Sequence, residues 1–442
     1  MPGPTPVMVQ GDQNLPDKVD VVVIGGGIVG SSTALELAQQ GLSVALCEKG
    51  GIAQEQSSRN WGWVRISRRD SREVPLMAHA LTLWRDLETR SGRDVGYRRN
   101  GISFVCHDDA TLENFTRWQR HLEPHGIASR ILSPKEMREL NPQSQIEGLG
   151  ALYTPDDGYA EPQQAAPAIA ELARSKGAHI LTACAARVVE TAAGQVSAVV
   201  TERGMIRCNA AVVACGAWSN LFLGNLGIDL PALNVAGHVL RTDPADGGPK
   251  DAVWTKEFTI RKRQDGGYTI ARGGANTVDI VPNSFRYMMK FRKALRDQYK
   301  DLHFRLGRQF WQELSRAKGW SGEEVTAFEK LRVWDPAPNP GLLKTVMTQV
   351  AQAFPGLGDV QVAQYWSGMM DVTADAVPVI SDTKTPGLFI ASGFSGHGFG
   401  IGPGAGRLMA DLVSGNDPVV DPQAFRLSRF SDGSPIAPES EF

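Results

Sequence analysis

No stretch of the 442-residue sequence approaches the roughly 20 consecutive apolar residues that a bilayer-spanning helix needs. Cysteine is scarce. Cys47, Cys106, Cys184, Cys208 and Cys215 form no CxxC pair and no metal-ligand spacing, and their odd number fits free thiols in a reducing compartment, the cytoplasm. Histidine offers no metal site either: His121 and His125 stand four apart, but Pro124 between them discourages the helix that would bring both to one face. A formal net charge of -2 leaves no basic excess and argues against a nucleic-acid partner. The start, MPGPTPVMVQGDQNLPDK, lacks the basic and apolar segments of a secretory signal, so residues 1 to about 17 are expected to be a mobile lead-in. Internal repeats and low-complexity tracts are missing too, and no pattern fixes an oligomeric state.

What is present begins at Val19. The length exceeds what one growing core organises, so two interleaved or consecutive domains are expected. VDVVVIGGGIVGSSTALELAQQGLSVALCEKG reads as a buried β-branched strand, a glycine turn, a helix and a second strand. Gly25, Gly27 and Gly30 satisfy G-x-G-x-x-G. The first allows the tight turn, the second lets the backbone approach a pyrophosphate, and the third lets the helix pack closely on the strand. Free N–H groups at the helix start, around Ile28 and Val29, bind negative charge. Glu48, followed by Lys49, ends the second strand where an acid holds a ribose hydroxyl, which argues for an unphosphorylated ribose as in FAD or NAD.

Two distant segments choose between those cofactors. NAAVVACGAWSNLFL, 209 to 223, is another buried strand ending in a small-residue turn. PGLFIASGFSGHGFGIGPGAGRLMADL, 386 to 412, is strand, glycine-rich loop and helix. A nucleotide domain that collects strands from both ends of a long chain suits a long extended cofactor, FAD.

These residues resemble the FAD-dependent amine oxidoreductases that include D-amino-acid oxidase, sarcosine oxidase and glycine oxidase, over Val19 to Phe430. GIAQEQSSR, FLGNLGIDLPALNV, FEKLRV and DPQAFRLSRF look most like bacterial L-amino-acid deaminases, whereas GFSGHGFG and Arg65-Ile66 look like the sarcosine and glycine oxidase group. The resemblance implies an α/β fold: a Rossmann-type FAD domain (18–91, 155–233, 361–442) interleaved with an α+β substrate domain on a mixed or antiparallel sheet (92–154, 234–360), with a helical insertion at about 285–330. It also implies that SSRNWGWVR runs along the cofactor. Ser57, Ser58, Arg59 and Asn60 would then serve the cofactor's polar middle, and Trp61, Trp63 and Arg65 would border the flavin or the substrate. Indole rings make a dry, rigid wall, and a guanidinium steadies a carboxylate or reduced flavin. Core packing and a structural ion pair are the alternatives for those three residues.

By the same resemblance Val188 contacts the adenine, Gly216, Ala217 and Trp218 close over the phosphates, with core packing the alternative for Trp218, and Gly393, Ser395, Gly396, His397 and Gly398 form a second cradle. Tyr365 lies near the ring. Arg332, in FEKLRVWD, would hold the substrate carboxylate, since a planar two-donor fork matches it; pairing with Asp335 or Glu329 is the alternative. Gly368 stands where sarcosine oxidases attach flavin through cysteine, so non-covalent FAD is expected. The implied activity is oxidation of an amino acid at its Cα–N bond, giving an imine and then a 2-oxo acid, with oxygen or a quinone as acceptor. Oxidation of a secondary or N-alkyl amine, and a redox-silent flavin-binding subunit of a larger assembly, are the rival readings.

Two further expectations come from pattern. FTIRKR and YTIAR, separated by QDGG, read as a hairpin. From Phe285 to Phe310 apolar residues recur every three or four positions, as in an amphipathic helix, and residues 286–318 carry ten basic and three acidic side chains. A solvated face is the plain reading of that charge, and peripheral contact with an anionic membrane the other.

Overall fold

The computed structural model describes residues 3–273, 276–299, 302–316 and 319–439. Met1, Pro2 and Lys318, the last of the ten basic side chains, lie outside them.

The β-branched run becomes the fully buried strand Val21–Ile24, central in a six-stranded sheet. Parallel neighbours Val44–Cys47 and Ala210–Val213 flank it, His179–Leu181 and Leu388–Ser392 extend it in parallel, and Val379–Asp382 closes one edge antiparallel. Strands burying both faces read as continuous apolar runs. The sheet is the Rossmann-type arrangement, drawing strands from both ends of the chain as the sequence implies. Helices Ile28–Gln39 and Gly398–Ser414 pack against each other through small residues. A Cβ on Gly406 would sit 2.5 Å from the Ser32 backbone, and one on Gly402 3.1 Å from Ile28. Their bare backbones permit that approach.

Before strand Ala210–Val213 the chain makes a three-stranded antiparallel meander, Ala186–Ala192, Gln195–Thr201 and Gly204–Arg207. A larger ten-stranded sheet forms the other half, and its longest pairing joins Ala232–Thr242 to Val362–Thr373. Strands Thr259–Lys262 and Tyr268–Ala271 form the expected hairpin, with Gly266 at φ +87° in the turn.

Two expectations are corrected. The single amphipathic helix over 285–310 is broken into helices Pro282–Arg286, Met288–Gln298 and Arg308–Leu314, with strand Leu302–Arg305 between the last two. That strand pairs in parallel with Asn276–Asp279, and Arg305 grips Asp279 with two hydrogen bonds of 2.6 and 2.8 Å. Partners distant in sequence override the local period. The lead-in is also held down rather than mobile: Val9 is buried, Val7 N–H donates to the Gln163 carbonyl, and Asp12 exchanges two hydrogen bonds with Ile180. Among the described residues no helix is long and apolar enough to cross a membrane.

Candidate active site

Two cavities meet between the sheets. The first runs along the strand ends of the Rossmann-type sheet. Gly25, Gly27, Ile28 and Val29 line it at the helix start, Glu48 and Lys49 at the second strand, and Ser57 and Asn60 beside them. Gly216, Trp218, Gly396 and Gly398 complete its wall. The glycines there are required by contact. A Cβ on Gly30 would lie 1.9 Å from the Gly25 carbonyl oxygen, and one on Gly25 2.4 Å from that of Ala214. The Glu48 carboxylate accepts from Gly26 N–H at 2.7 Å and from Gly50 N–H at 2.8 Å, while burial pushes its pKa up. Ile28 N–H at the helix start is capped by Ser57 Oγ at 2.9 Å.

The second cavity continues from the first, and Gln56, Asn60, Met370 and Gly396 line both. The loop quoted above is its wall. Gly62, at φ +83°, could carry no Cβ, which would fall 2.5 Å from the Ala160 carbonyl oxygen. The turn presents Trp61 and Trp63 edge to face at 5.4 Å, with Phe104 5.8 Å further along. Arg261 anchors the turn by donating to the Trp61 carbonyl and pairing with buried Glu161. Arg59 lines the cavity but is neutralised by Asp335 at 2.8 Å.

Arg65 borders the same space and donates to the Ser67 carbonyl. Burial, with Arg69 and Arg68 close by, lowers its pKa to about 9. Arg68 stacks over Trp254 at 4.5 Å and over Phe104 at 5.3 Å. Ser395 and His397 complete this side. His397 Nδ1 stands 3.2 Å from the fully buried Glu73, and burial beside Arg69 lowers the imidazole to about 4, so it is neutral at physiological pH.

Several residues singled out in the sequence line neither cavity. Gly30 lies within the first helix and acts through its packing on Gly25. Ser58 is fully buried and donates to the Glu55 carbonyl. Val188 lies against Gly322, two residues along its strand from the cavity-lining Ala186. Gly393 N–H donates to Asp371 and so fixes the cradle loop from behind. Tyr365 joins the core of the large sheet with Leu240 and Tyr268.

Arg332 is the substantive correction. It forks onto Glu202 and donates to the Lys49 carbonyl at 2.7 Å, beside the nucleotide end. The partner is neither Asp335 nor Glu329: the meander after Ala186 brings Glu202 over the loop, a contact that no local pattern announces.

Besides Phe104 and Arg68, three more cavity residues escaped the sequence reading. Gln56 Oε1 is buried at the junction without a hydrogen-bond partner. His238 bridges Ser367 Oγ at 2.6 Å and Thr277 Oγ1 at 2.9 Å and is lowered to about 4 by burial, helped by His303 and Arg305. Arg272, at the end of the hairpin's second strand, lines the second cavity. Its Nε is buried without a partner, and no ion pair holds the side chain among the described residues. YTIAR pointed to the strand but not to where its last side chain faces.

Helix-start amides, a glycine cradle, an acid at the second strand and a second glycine loop facing the first suit an extended dinucleotide that delivers its redox end to the junction. Space around Gly216, with nothing within 4 Å of a Cβ placed there, and the orphaned Gln56 oxygen fit a bound group. These features define a flavin-dependent oxidoreductase. The chain belongs to the FAD dependent oxidoreductase family DAO, whose model matches residues 20–412, and its cofactor is FAD. It is similar to the structure of L-amino acid deaminase from Proteus myxofaciens in complex with anthranilate, at 33% identity and a TM-score of 0.94, covering 98% of each chain. It is 26% identical to 4-methylaminobutanoate oxidase (formaldehyde-forming) of Paenarthrobacter nicotinovorans over 94% of this chain and 46% of that protein. It is 23% identical to D-amino acid dehydrogenase of Paramagnetospirillum magneticum over 93% of this chain and 99% of that protein. The chain thus spans less than half the length of the first of these two curated relatives.

Glu48→Ala is expected to lower FAD affinity, because both Gly26 and Gly50 lose their acceptor, without changing the absorption spectrum of the flavin that stays bound. Equilibrium dialysis with FAD checks this; parental affinity would remove Glu48 from the cofactor site. Acid precipitation is expected to release all of the flavin. A side chain at Gly368 would meet Gln56 Oε1 at 2.1 Å and Arg59 Cβ at 2.9 Å, so no nucleophile projects from there. Yellow colour retained in the acid pellet would show a covalent link.

Proposed function

We propose that the protein oxidises an amino acid at its Cα–N bond, releasing an imino acid that hydrolyses to a 2-oxo acid and ammonia. The observation that carries this reading is the second cavity's charge pattern: Arg65, Arg68, Arg272 and the already paired Arg59 line it, and no acid among the described residues does. Arg272, untethered and with an orphaned donor, is the carboxylate anchor; Arg65 and Arg68 add positive potential. Bound FAD supplies a two-electron acceptor at the junction of the cavities. The chain's own residues do the rest. Gln56 and Asn60 offer polar atoms at the junction, while Trp61, Trp63 and Phe104 exclude water, so that the substrate is held rather than hydrated. An acid-free, arginine-lined space disfavours an ammonium group and favours the neutral amine, whose lone pair must be available as hydride leaves.

Part of the cavity's lining is apolar: Val278 and Ile280, with Phe291, Leu295, Leu302 and Phe304 from the insertion. An amino acid with its carboxylate on Arg272 places its side chain there, which selects long apolar side chains. Each buried CH2 contributes about 0.8 kcal/mol, so kcat/KM should rise several-fold per methylene from alanine to norleucine. A flat series, or a preference for lysine or glutamate, would contradict this placement. N-methyl amino acids belong in the same series because of the likeness to 4-methylaminobutanoate oxidase. We read residues 18–91, 155–233 and 361–442 as the FAD domain and 92–154 with 234–360 as the substrate domain. The cytoplasm is the compartment this reading implies.

A further inference from the structure

The first cavity is built almost entirely by one half of the molecule. Among the described residues that line it, Phe328 alone comes from 234–360, and the others belong to 18–91, 155–233 and 361–442. Phe328 is buried among Trp218, Phe222 and Trp320, with ring centroids 5.6, 5.8 and 5.6 Å away. The segment that carries it is shallowly rooted. Trp320 fixes one end, its N–H donating to Asn225 Oδ1 at 2.9 Å and its Nε1 to the Arg187 carbonyl at 2.8 Å. Trp334 fixes the other, its N–H donating to Glu55 at 2.8 Å. Between these anchors, residues 321–333 hold one short helix, Ala327–Lys330, and bury only Thr326 and Phe328. A stretch with so few buried contacts opens locally with ease unless something else restrains it. The restraint here is charge. Arg187, on the meander next to the cavity-lining Ala186, forks onto Glu329 at 3.0 and 2.8 Å and donates to the Gly322 carbonyl at 3.1 Å. Glu202, just past the meander's second strand, takes the fork of Arg332. The meander thus offers one cation and one anion, and the segment answers with one of each. Lys49 Nζ adds hydrogen bonds to the Arg332 carbonyl at 2.8 Å and the Leu331 carbonyl at 3.1 Å.

We propose that residues 321–333 are a charge-latched cover through which FAD enters and leaves its cavity, with Phe328 as the plug. When the Arg187–Glu329 and Arg332–Glu202 pairs part, the stretch swings out between its two tryptophan anchors, Phe328 leaves the aromatic nest, and the wall beside Ala186 opens. None of the four latch residues lines the cavity. Their charges pair with one another, whether or not the cofactor is bound, so the latch sets how fast FAD exchanges and not how tightly it binds. Phe328 does line the cavity, so it contributes to both. This inference needs FAD as the cofactor and is independent of the deamination reading.

The double variant Arg187→Met, Glu202→Gln unlatches the cover while sparing its surroundings. Methionine keeps an apolar stem, and glutamine keeps an acceptor for the Ala185 N–H, which Glu202 holds at 2.7 Å. Holoprotein is mixed with an excess of isotopically labelled FAD, and replacement of the bound flavin is followed with time; equilibrium dialysis gives the affinity, and circular dichroism confirms the fold. The double variant should exchange FAD roughly tenfold faster than the parent, as two partly exposed ion pairs are lost, with parental affinity. High salt should accelerate exchange in the parent, because it screens the latch, and should leave the double variant's rate unchanged. Phe328→Ala should exchange faster at low and high salt and bind FAD more weakly. A parent whose exchange ignores salt, or a double variant that exchanges at the parental rate, would overturn the proposal. Faster exchange matched by an equal loss of affinity in the double variant would overturn it too, since the four charges would then be ordinary supports of the bound cofactor.

Discussion

Replacing Arg272 with alanine is expected to lower kcat/KM for the best amino acid by roughly a hundredfold or more while leaving the FAD content unchanged. Losing one partner of a buried charged pair costs about 3–5 kcal/mol, and about 1.4 kcal/mol is tenfold in rate. Arg272→Lys keeps the charge and loses the planar fork, so it should fall between alanine and parent. The control is Arg332→Ala. Its guanidinium is engaged by Glu202 and the Lys49 carbonyl, outside both cavities, so that change should leave KM for the amino acid near the parental value. Steady-state kinetics on all three variants, normalised to bound flavin, separates the two arginines. A large loss in Arg332→Ala with none in Arg272→Ala would return the carboxylate to the site that the FEKLRVWD likeness suggests.

Gly30→Ala is expected to yield protein depleted of FAD. The added methyl would lie 1.9 Å from the Gly25 carbonyl oxygen, and the neighbouring backbone has no flexible tip that can move aside. Relief requires the helix start to draw back from the strand, displacing the amides that face the cofactor cavity. Overpacking costs about 1–3 kcal/mol, roughly a five- to 150-fold loss of affinity if it falls wholly on the bound state. Flavin-to-protein absorbance ratio and dialysis report it, and circular dichroism separates loss of FAD from loss of fold. Full flavin content in Gly30→Ala would mean that the contact relaxes without disturbing the site. Gly216→Ala is the useful contrast. Its added methyl meets nothing within 4 Å, although φ of +51° imposes modest strain, so its effect should be smaller.

The Rossmann-type half was legible because its signals are local. Spacing along one strand–turn–helix–strand places Gly25, Gly27, Gly30 and Glu48, and the loop from Trp61 to Arg65 could be placed by following that strand. The substrate cavity was less legible because each side chain's direction depends on pairing between remote segments. Arg272 and His238 face the cavity through the register of strands Ala232–Thr242, Tyr268–Ala271 and Asn276–Asp279, and no stretch of a few residues encodes that register. Arg332 was misplaced for the same reason: its partner Glu202 arrives from 130 positions away. The broken insertion helix shows the same principle in secondary structure. The apolar period from Phe285 to Phe310 is real, yet strand pairing at Leu302–Arg305 outweighs it.

The most direct measurement is anaerobic mixing of the FAD-loaded protein with D-, L- and N-methyl amino acids bearing apolar side chains, following flavin absorbance and then assaying the product. The expected result is complete bleaching by one enantiomer of a long apolar amino acid, with one 2-oxo acid and one ammonia formed per flavin reduced. Flavin that stays oxidised with every amino acid and amine in the panel, in protein fully loaded with FAD, would contradict it.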